Sequence, residues 1–237
     1  MSSTARRPSA RRSHSGSSIR SGAGALARVL PFALFLGFIA VQPLLAEWLD
    51  ARTLVAWRGI AVAAMLAWFW PSYSELRAGP AVPAREWLIA IALGVAVFAA
   101  WIAFDTGWAV FGGGAGFVPL RPDGTLDASL VALRLFGMVL VVPVMEELFW
   151  RSFVMRWIDR RDFLAADPRK VTATAFLVTA ALFALEHSQW FAGFLAGLAY
   201  NEAYRRTGNL RVPIASHAAT NLILGAWILA THDWRFW

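Results

Sequence analysis

Seven apolar segments, separated by shorter polar stretches, organise the chain. A helix needs about 20 predominantly apolar residues to cross the hydrocarbon core of a bilayer, and each segment approaches that length. Lipid offers no partner to backbone N–H and C=O groups, so segments of this kind form helices. The pattern predicts an all-α fold, a polytopic transmembrane helix bundle of about seven spans. The segments lie near residues 27–46, 54–70, 87–104, 128–155, 171–187, 189–204 and 211–230.

Composition agrees with a membrane protein. Of the 237 residues, 58% are hydrophobic and 16% are charged, whereas soluble domains have about 45–50% apolar and about 25% charged residues. Cysteine is absent from the sequence. Disulfide frameworks, thiolate zinc sites and a cysteine nucleophile are therefore excluded.

Positive charge is concentrated at the start of the chain, where residues 1–28 contain six arginines and no acidic residue. These arginines directly precede an apolar segment, so the positive-inside rule explains them and nucleic-acid binding is disfavoured. Basic loops at 71–86, 156–170 and 205–211 fit the same orientation. We expect a multi-pass protein of a bacterial inner (plasma) membrane, with a cytoplasmic N-terminus and the lipid bilayer as a partner.

The sequence divides into three predicted regions. Residues 1–26 form a disordered basic cytoplasmic tail, residues 27–127 form N-terminal membrane helices with a long extracytoplasmic loop, and residues 128–237 form the helix bundle that carries the chemistry. The loop, 105–127, is rich in glycine and proline. Such composition is typical of turns, and the loop is either a lid or, as we favour, a plain connector.

Two carboxylates and a guanidinium interrupt the fourth apolar segment. Ionisable side chains at bilayer depth are costly, so they usually pair or line a functional cavity. Glu147 and Arg151 are one helical turn apart, in the orientation that favours an ion pair. Glu146 points about 100° away and lacks a cation on its own helix. A carboxylate left free in a poorly solvated cavity suits a general base that takes a proton from water. The alternative is that both acids only pair with arginines to order the bundle.

Two further segments carry polar pairs at the same spacing. Phe183 and His187 are four residues apart, so the ring should pack beneath the imidazole. Adjacent Glu186 is expected to face away from His187 as an interfacial charge. His217 and Asn221 are also one turn apart and could direct two donors at a developing oxyanion, or form an interhelical hydrogen-bond pair.

Together these motifs resemble those of the CPBP family, the CAAX prenyl endopeptidases and bacteriocin-processing membrane proteins also called Abi. The resemblance covers about residues 128–230. It also extends to bacterial CAAX-protease-related proteins associated with exosortase sorting systems. The motifs that carry it are Glu146-Glu147-x-x-x-Arg151, Phe183-x-x-x-His187 and His217-x-x-x-Asn221.

The resemblance implies an intramembrane endopeptidase with a polar cavity inside the bundle. Glu146 and His187 would activate the attacking water, and His217 and Asn221 would hold the oxyanion. The site would be supported structurally by three further residues, Glu147, Arg151 and Phe183.

A metal is not favoured, because a glutamate-activated water needs none. Zinc is nevertheless an option, since it accepts nitrogen and oxygen ligands. Glu146, His187 and His217 would be its ligands.

The implied substrate is a membrane protein or a lipidated or sorted protein. The rival readings are a non-enzymatic bacteriocin-immunity or membrane scaffold protein and, third, a transporter that uses the glutamates as a proton relay. Residue counting places His187 deeper in the membrane than Glu146 and places His217 near the inner surface. A separation of more than about 10 Å between these groups would contradict the site.

Overall fold

The computed structural model describes residues 13–45, 47–78, 81–112 and 118–237, with the backbone alone for 13–20 and 51. Within these residues the protein is all-α and contains no β-strand, which confirms the predicted fold class. Seven helices have 13 residues or more. They are α1 Ser13–Leu45, α2 Ala51–Trp68, α3 Ala84–Ala103, α4 Ala128–Asp159, α5 Ala173–Leu185, α6 Trp190–Thr207 and α7 Arg211–Thr231.

Each of the seven helices overlaps one predicted apolar segment. Among the described residues, four are long and apolar enough to cross a membrane, namely α1 from Ser21, α3, α4 and α7. Helix α5 is apolar but has only 13 residues. The helical bundle is therefore confirmed, and the number of membrane spans stays a prediction.

The first helix starts earlier than the sequence predicted. Residues 1–12 of the predicted disordered tail lie outside the described part of the chain, but α1 begins at Ser13. A helix that is already nucleated extends at little cost per residue, so the membrane segment can continue into the preceding small residues. Arg28 is one of the six N-terminal arginines attributed above to the positive-inside rule, yet its side chain is fully buried and paired with Glu75 at 2.6 Å.

Helix α4, which carries the acidic pair, changes its hydrogen-bond pattern twice. It is π-helical over Gly137–Val141 and again over Leu148–Val154. The backbone N–H of Val142 reaches the carbonyl of Gly137. In that register the next carbonyl, that of Met138, would bond to residue 143, which is a proline without an N–H. The Asn221 amide fills this gap by donating to the Met138 carbonyl at 2.7 Å.

Close contacts at two glycines fix the helices that surround the site. A Cβ on Gly94 of α3 would come within 2.7 Å of the Ser216 carbonyl oxygen of α7. A Cβ on Gly197 of α6 would come within 2.9 Å of the Cα of Ala180 of α5. Small residues of this kind let helix backbones approach closely in membrane proteins. The α3–α7 and α5–α6 pairs are therefore held in register by shape.

A second buried polar network joins α1 and α4 through the 70–78 connection. The carboxylate of Glu75 accepts hydrogen bonds from Arg28 and from the hydroxyl of Ser152. Arg156 donates to the same hydroxyl at 2.8 Å and lies 3.8 Å from Glu75. Burial alone would raise the pKa of Glu75, but the charge of Arg28 and the hydrogen bonds from Arg28 and Ser152 lower it below its usual value.

We predict that Glu75→Gln lowers the melting temperature of the detergent-solubilised protein at pH 7 by several degrees, because it leaves the buried guanidinium of Arg28 without a counter-charge. Since the folded-state pKa is depressed, this contribution is complete above the unfolded value of about 4.3 and is lost as the pH falls through the folded value. The difference between wild type and variant should shrink on acidification. A Glu47→Gln variant, at an exposed position, serves as control, and a difference independent of pH would contradict the prediction.

Candidate active site

A cavity of about 430 Å³ lies inside the bundle and is lined by the four predicted catalytic residues, Glu146, His187, His217 and Asn221. It is enclosed by side chains from six helices, including two from the N-terminal half of the chain. The six helices contribute Ile39 of α1, Trp101 of α3, Glu146 of α4, Phe183 of α5, Tyr200 of α6 and His217 of α7. Aromatic and aliphatic side chains combined with a few convergent polar groups are typical of a ligand site.

Glu147 and Arg151 form the ion pair that their spacing predicted. The Nη1 of Arg151 donates to Oε1 of Glu147 at 3.0 Å, and both side chains are fully buried. The Nε of Arg151 donates to Oδ1 of Asn201 at 3.0 Å, and its guanidinium lies 4.3 Å from the Phe183 ring centroid. Asn201 was missed at the sequence level. Its one signal was an amide within a predicted apolar span.

Glu146 presents the opposite situation. The residue is 6% exposed, and among the described residues its Oε2 has no hydrogen-bond partner. The nearest cationic or potentially cationic group is Nε2 of His217, at 3.9 Å from that oxygen. Consecutive helical positions point in directions about 100° apart, so the pairing of Glu147 leaves Glu146 free to face the cavity.

His187 is oriented by its own helix. Its Nδ1 lies 2.8 Å from the carbonyl oxygen of Phe183. A carbonyl can only accept, so Nδ1 carries the proton and the lone pair of Nε2 is available. The predicted packing with Phe183 is present, with ring centroids 4.7 Å apart.

The expectation for Glu186 was wrong. One carboxylate oxygen of Glu186, one of Glu146 and a ring nitrogen of His187 all lie within 4.8 Å of one another. Oε1 of Glu186 also accepts a hydrogen bond from the indole of Trp150 at 2.9 Å. Helix α5 ends at Leu185, so the angular spacing of a helix no longer applies to residues 186 and 187.

His217 meets the acidic pair at close range. Its Nδ1 lies 3.1 Å from Oε1 of Glu147, and its ring stacks on Tyr200 with centroids 4.9 Å apart. Residue counting had placed His217 near the inner surface. The turn before α7 is itself buried at Asn209 and Leu210, so α7 begins inside the protein and His217 reaches the depth of the glutamates.

Asn221 also lines the cavity. One amide N–H is committed to the Met138 carbonyl, and the amide has a second N–H. His217 and Asn221 therefore line the same cavity, as predicted. One nitrogen of each side chain is already bonded within the protein, to Glu147 and to the Met138 carbonyl respectively.

The residues that best fit a metal differ from those predicted. Glu146, Glu186 and His187 supply two oxygens and one nitrogen within 4.8 Å of one another, a donor set that zinc accepts. Glu146 contributes a buried oxygen without a partner among the described residues. The predicted third ligand, His217, does not belong to this group; its Nδ1 is bonded to Glu147, and its Nε2 lies 3.9 Å from Glu146.

Part of the 105–127 loop packs beside the site. The backbone N–H of Phe111 donates to the carbonyl of Ser188 at 2.7 Å, and the indole of Trp190 donates to the carbonyl of Trp108 at 2.9 Å. These contacts hold the loop on the corner that follows His187. The glycines at 113, 114 and 116 lie outside the described residues, so the choice between lid and connector stays a prediction.

Comparison with known proteins identifies one similar family. Residues 128–223 match the sequence model of the family described as Type II CAAX prenyl endopeptidase Rce1-like. No curated protein and no solved structure matches the chain. The matched residues contain all three motifs and, with the membrane-type helices, establish an integral membrane protein. Residues 128–223 are thus similar to the Rce1-like, type II CAAX prenyl endopeptidase family, and this match supports the predicted resemblance of the chain to the CPBP family.

Proposed function

We propose that this protein is an intramembrane endopeptidase that hydrolyses a peptide bond of a membrane-associated protein. The observation that carries the proposal is the contrast between two adjacent acids. Glu147 is fixed by Arg151 and His217, whereas Glu146 keeps a buried oxygen without a partner among the described residues, in a cavity shared with His187. The similarity of residues 128–223 to a family of CAAX prenyl endopeptidases supports the same activity.

In the proposed reaction Glu146 is the general base. It takes a proton from a water molecule, assisted by the free Nε2 of His187, while the water oxygen bonds to the carbonyl carbon of the substrate. The tetrahedral intermediate then collapses, the C–N bond breaks, and the proton passes from Glu146 to the leaving nitrogen. Proton transfer by a positioned side chain is worth about 10² to 10⁴ in rate.

His217 and Asn221 are the proposed donors to the oxyanion. The contact of Nδ1 with Glu147 leaves Nε2 of His217 toward the cavity. Because Nδ1 donates to Glu147, Nε2 can donate to an oxyanion only when the ring is an imidazolium. Asn221 would contribute its second amide N–H. Glu147 and Arg151 act by holding His217 in place.

We favour a mechanism without a metal, because Glu146 and His187 suffice to move the proton. If zinc binds, Glu146, Glu186 and His187 would hold it, and its chemistry would be polarisation of a carbonyl and acidification of a water molecule.

The substrate is proposed to be a CAAX-type protein, whose C-terminal segment would enter the cavity. The family that residues 128–223 match is described as a CAAX prenyl endopeptidase, whereas the resemblance to exosortase-associated proteins would instead give a sorted protein. The alternative from another class is a bacteriocin-immunity or membrane scaffold protein of the same fold. A free, buried carboxylate facing an imidazole is costly in such a protein and has no role there.

We predict that Glu146→Gln lowers the rate of hydrolysis by at least about 100-fold and leaves the melting temperature within a few degrees of that of the wild type. The assay uses purified protein in nanodiscs with quenched fluorescent peptides that end in a CAAX sequence, with and without a prenyl group. The matched change at the next residue, Glu147→Gln, should lower both activity and melting temperature, because it leaves Arg151 buried without its counter-charge. Full activity in Glu146→Gln would contradict the assignment.

We predict that exhaustive chelation leaves the rate unchanged and that elemental analysis finds no zinc in the active protein. Glu186→Gln should then reduce the rate less than Glu146→Gln does, since Glu186 lies beside the base without being the base. One zinc per chain, lost in both Glu186→Gln and His187→Gln, would instead establish the metal mechanism. The stoichiometry is measured on inactive protein as well, so it does not depend on turnover.

A further inference from the structure

Two half-buried arginines near the site lack, among the described residues, the acidic partners that the fully buried arginines have. Arg58 of α2 and Arg134 of α4 make no hydrogen bond or ion pair with any other described residue. Their guanidiniums cover aromatic rings instead, Arg58 at 4.9 Å from the Phe35 centroid and Arg134 at 5.2 Å from the Trp237 centroid. By contrast, Arg28 and Arg151 each pair with a carboxylate at 3.0 Å or less.

The two cations lie close together in an apolar setting. Both line a cavity of about 200 Å³ whose other walls are mostly aliphatic and aromatic, and their charges repel each other. Arg134 lies within α4, a membrane-type helix, and Arg58 lies within α2 beside it. Two like charges in apolar surroundings are costly, and an anion held between them removes that cost.

This small cavity adjoins the active-site cavity. Arg134, Val142 and Phe236 line both. Arg134 and Glu146 belong to the same helix, and their positions differ by about 18 Å of helical rise. A fully extended peptide of about five residues covers that distance. An anionic group on a short peptide segment could therefore rest on the arginines while another part of the segment lies at Glu146.

We propose that Arg58 and Arg134 bind the free C-terminal carboxylate of the peptide whose bond is cut at Glu146. The inference rests on the proposed endopeptidase function and names what its substrate must present. A guanidinium offers a planar fork of donors that matches a carboxylate, so two of them can bind both oxygens and fix the chain end. The arginines would thereby set the distance from the chain end to the cleaved bond.

The test compares two peptides that differ only at the C-terminus. Full-length protein carrying Glu146→Gln, which prevents turnover, is placed in phosphatidylcholine nanodiscs. Affinities are measured for an N-acetylated apolar pentapeptide as the free acid and as the amide. The free acid should bind about tenfold more tightly or better, the effect expected for a charge-assisted, bidentate hydrogen bond.

Arg58→Gln and Arg134→Gln, each added to the same protein, should remove this preference. Arg134→Lys should keep part of it, because the charge remains and the fork is lost. The matched control is Arg52→Gln on α2, since Arg52 already has carboxylates at 3.8 Å and 3.7 Å in Asp50 and Asp127. It should leave the preference intact. The melting temperatures of the Arg58 and Arg134 variants should stay equal or rise, because an unneutralised cation is removed.

Equal affinity for acid and amide would overturn the proposal, and so would a preference that survives in both glutamine variants. If acid and amide bind equally while phosphatidylglycerol, but not inorganic phosphate, raises the melting temperature only when both arginines are present, the site holds a lipid headgroup and the proposal is wrong. Should a glutamine variant fail to fold, the acid-to-amide comparison in the protein with both arginines still decides.

The binding and cleavage measurements distinguish failure of the anion site from failure of the proposed endopeptidase function. If active protein cuts no peptide but the Glu146→Gln protein keeps the acid preference, the endopeptidase assignment fails and the anion site stands. If active protein cuts acid and amide at equal rates, the anion site fails and the endopeptidase assignment stands.

Discussion

The ion pair between Glu147 and Arg151 is the interaction on which the interior of this protein depends. Both side chains are fully buried, and separating them would leave an uncompensated charge in a medium that solvates it poorly. Each partner also reaches another helix. Arg151 donates to Asn201 of α6, and Glu147 accepts from His217 of α7. Three helices are thus joined at one pair of charges, at the level of the cavity.

The same pair determines the chemistry available next to it. Because Arg151 and His217 are occupied by Glu147, neither neutralises Glu146 directly, and the angular offset of consecutive helical residues turns Glu146 into the cavity. His187 is oriented independently by a hydrogen bond to its own helix. One carboxylate is therefore committed to structure and the other faces the cavity. Arg134, which has no acidic partner among the described residues, also lines this cavity.

Sequence reasoning recovered what depends on spacing along one helix. The Glu147–Arg151 pair and the packing of Phe183 on His187 both follow from a separation of four residues, and the seven helices follow from long apolar runs. It failed where a helix ends or where partners come from different helices. Glu186 was misplaced because α5 stops one residue before it, and the depth of His217 was misjudged because the turn before α7 is buried. The bond from Asn221 to Met138 depends on a π-helical register that only the backbone reveals.

The most direct test of the account is whether membrane proteins are cleaved in a way that depends on Glu146. The N- and C-termini of membrane proteins are compared by mass spectrometry between cells that express the wild-type protein and cells that express equal amounts of Glu146→Gln. Our account predicts a set of termini that appears only with the wild-type protein. Identical termini in both cells, with both proteins folded in the membrane, would contradict it.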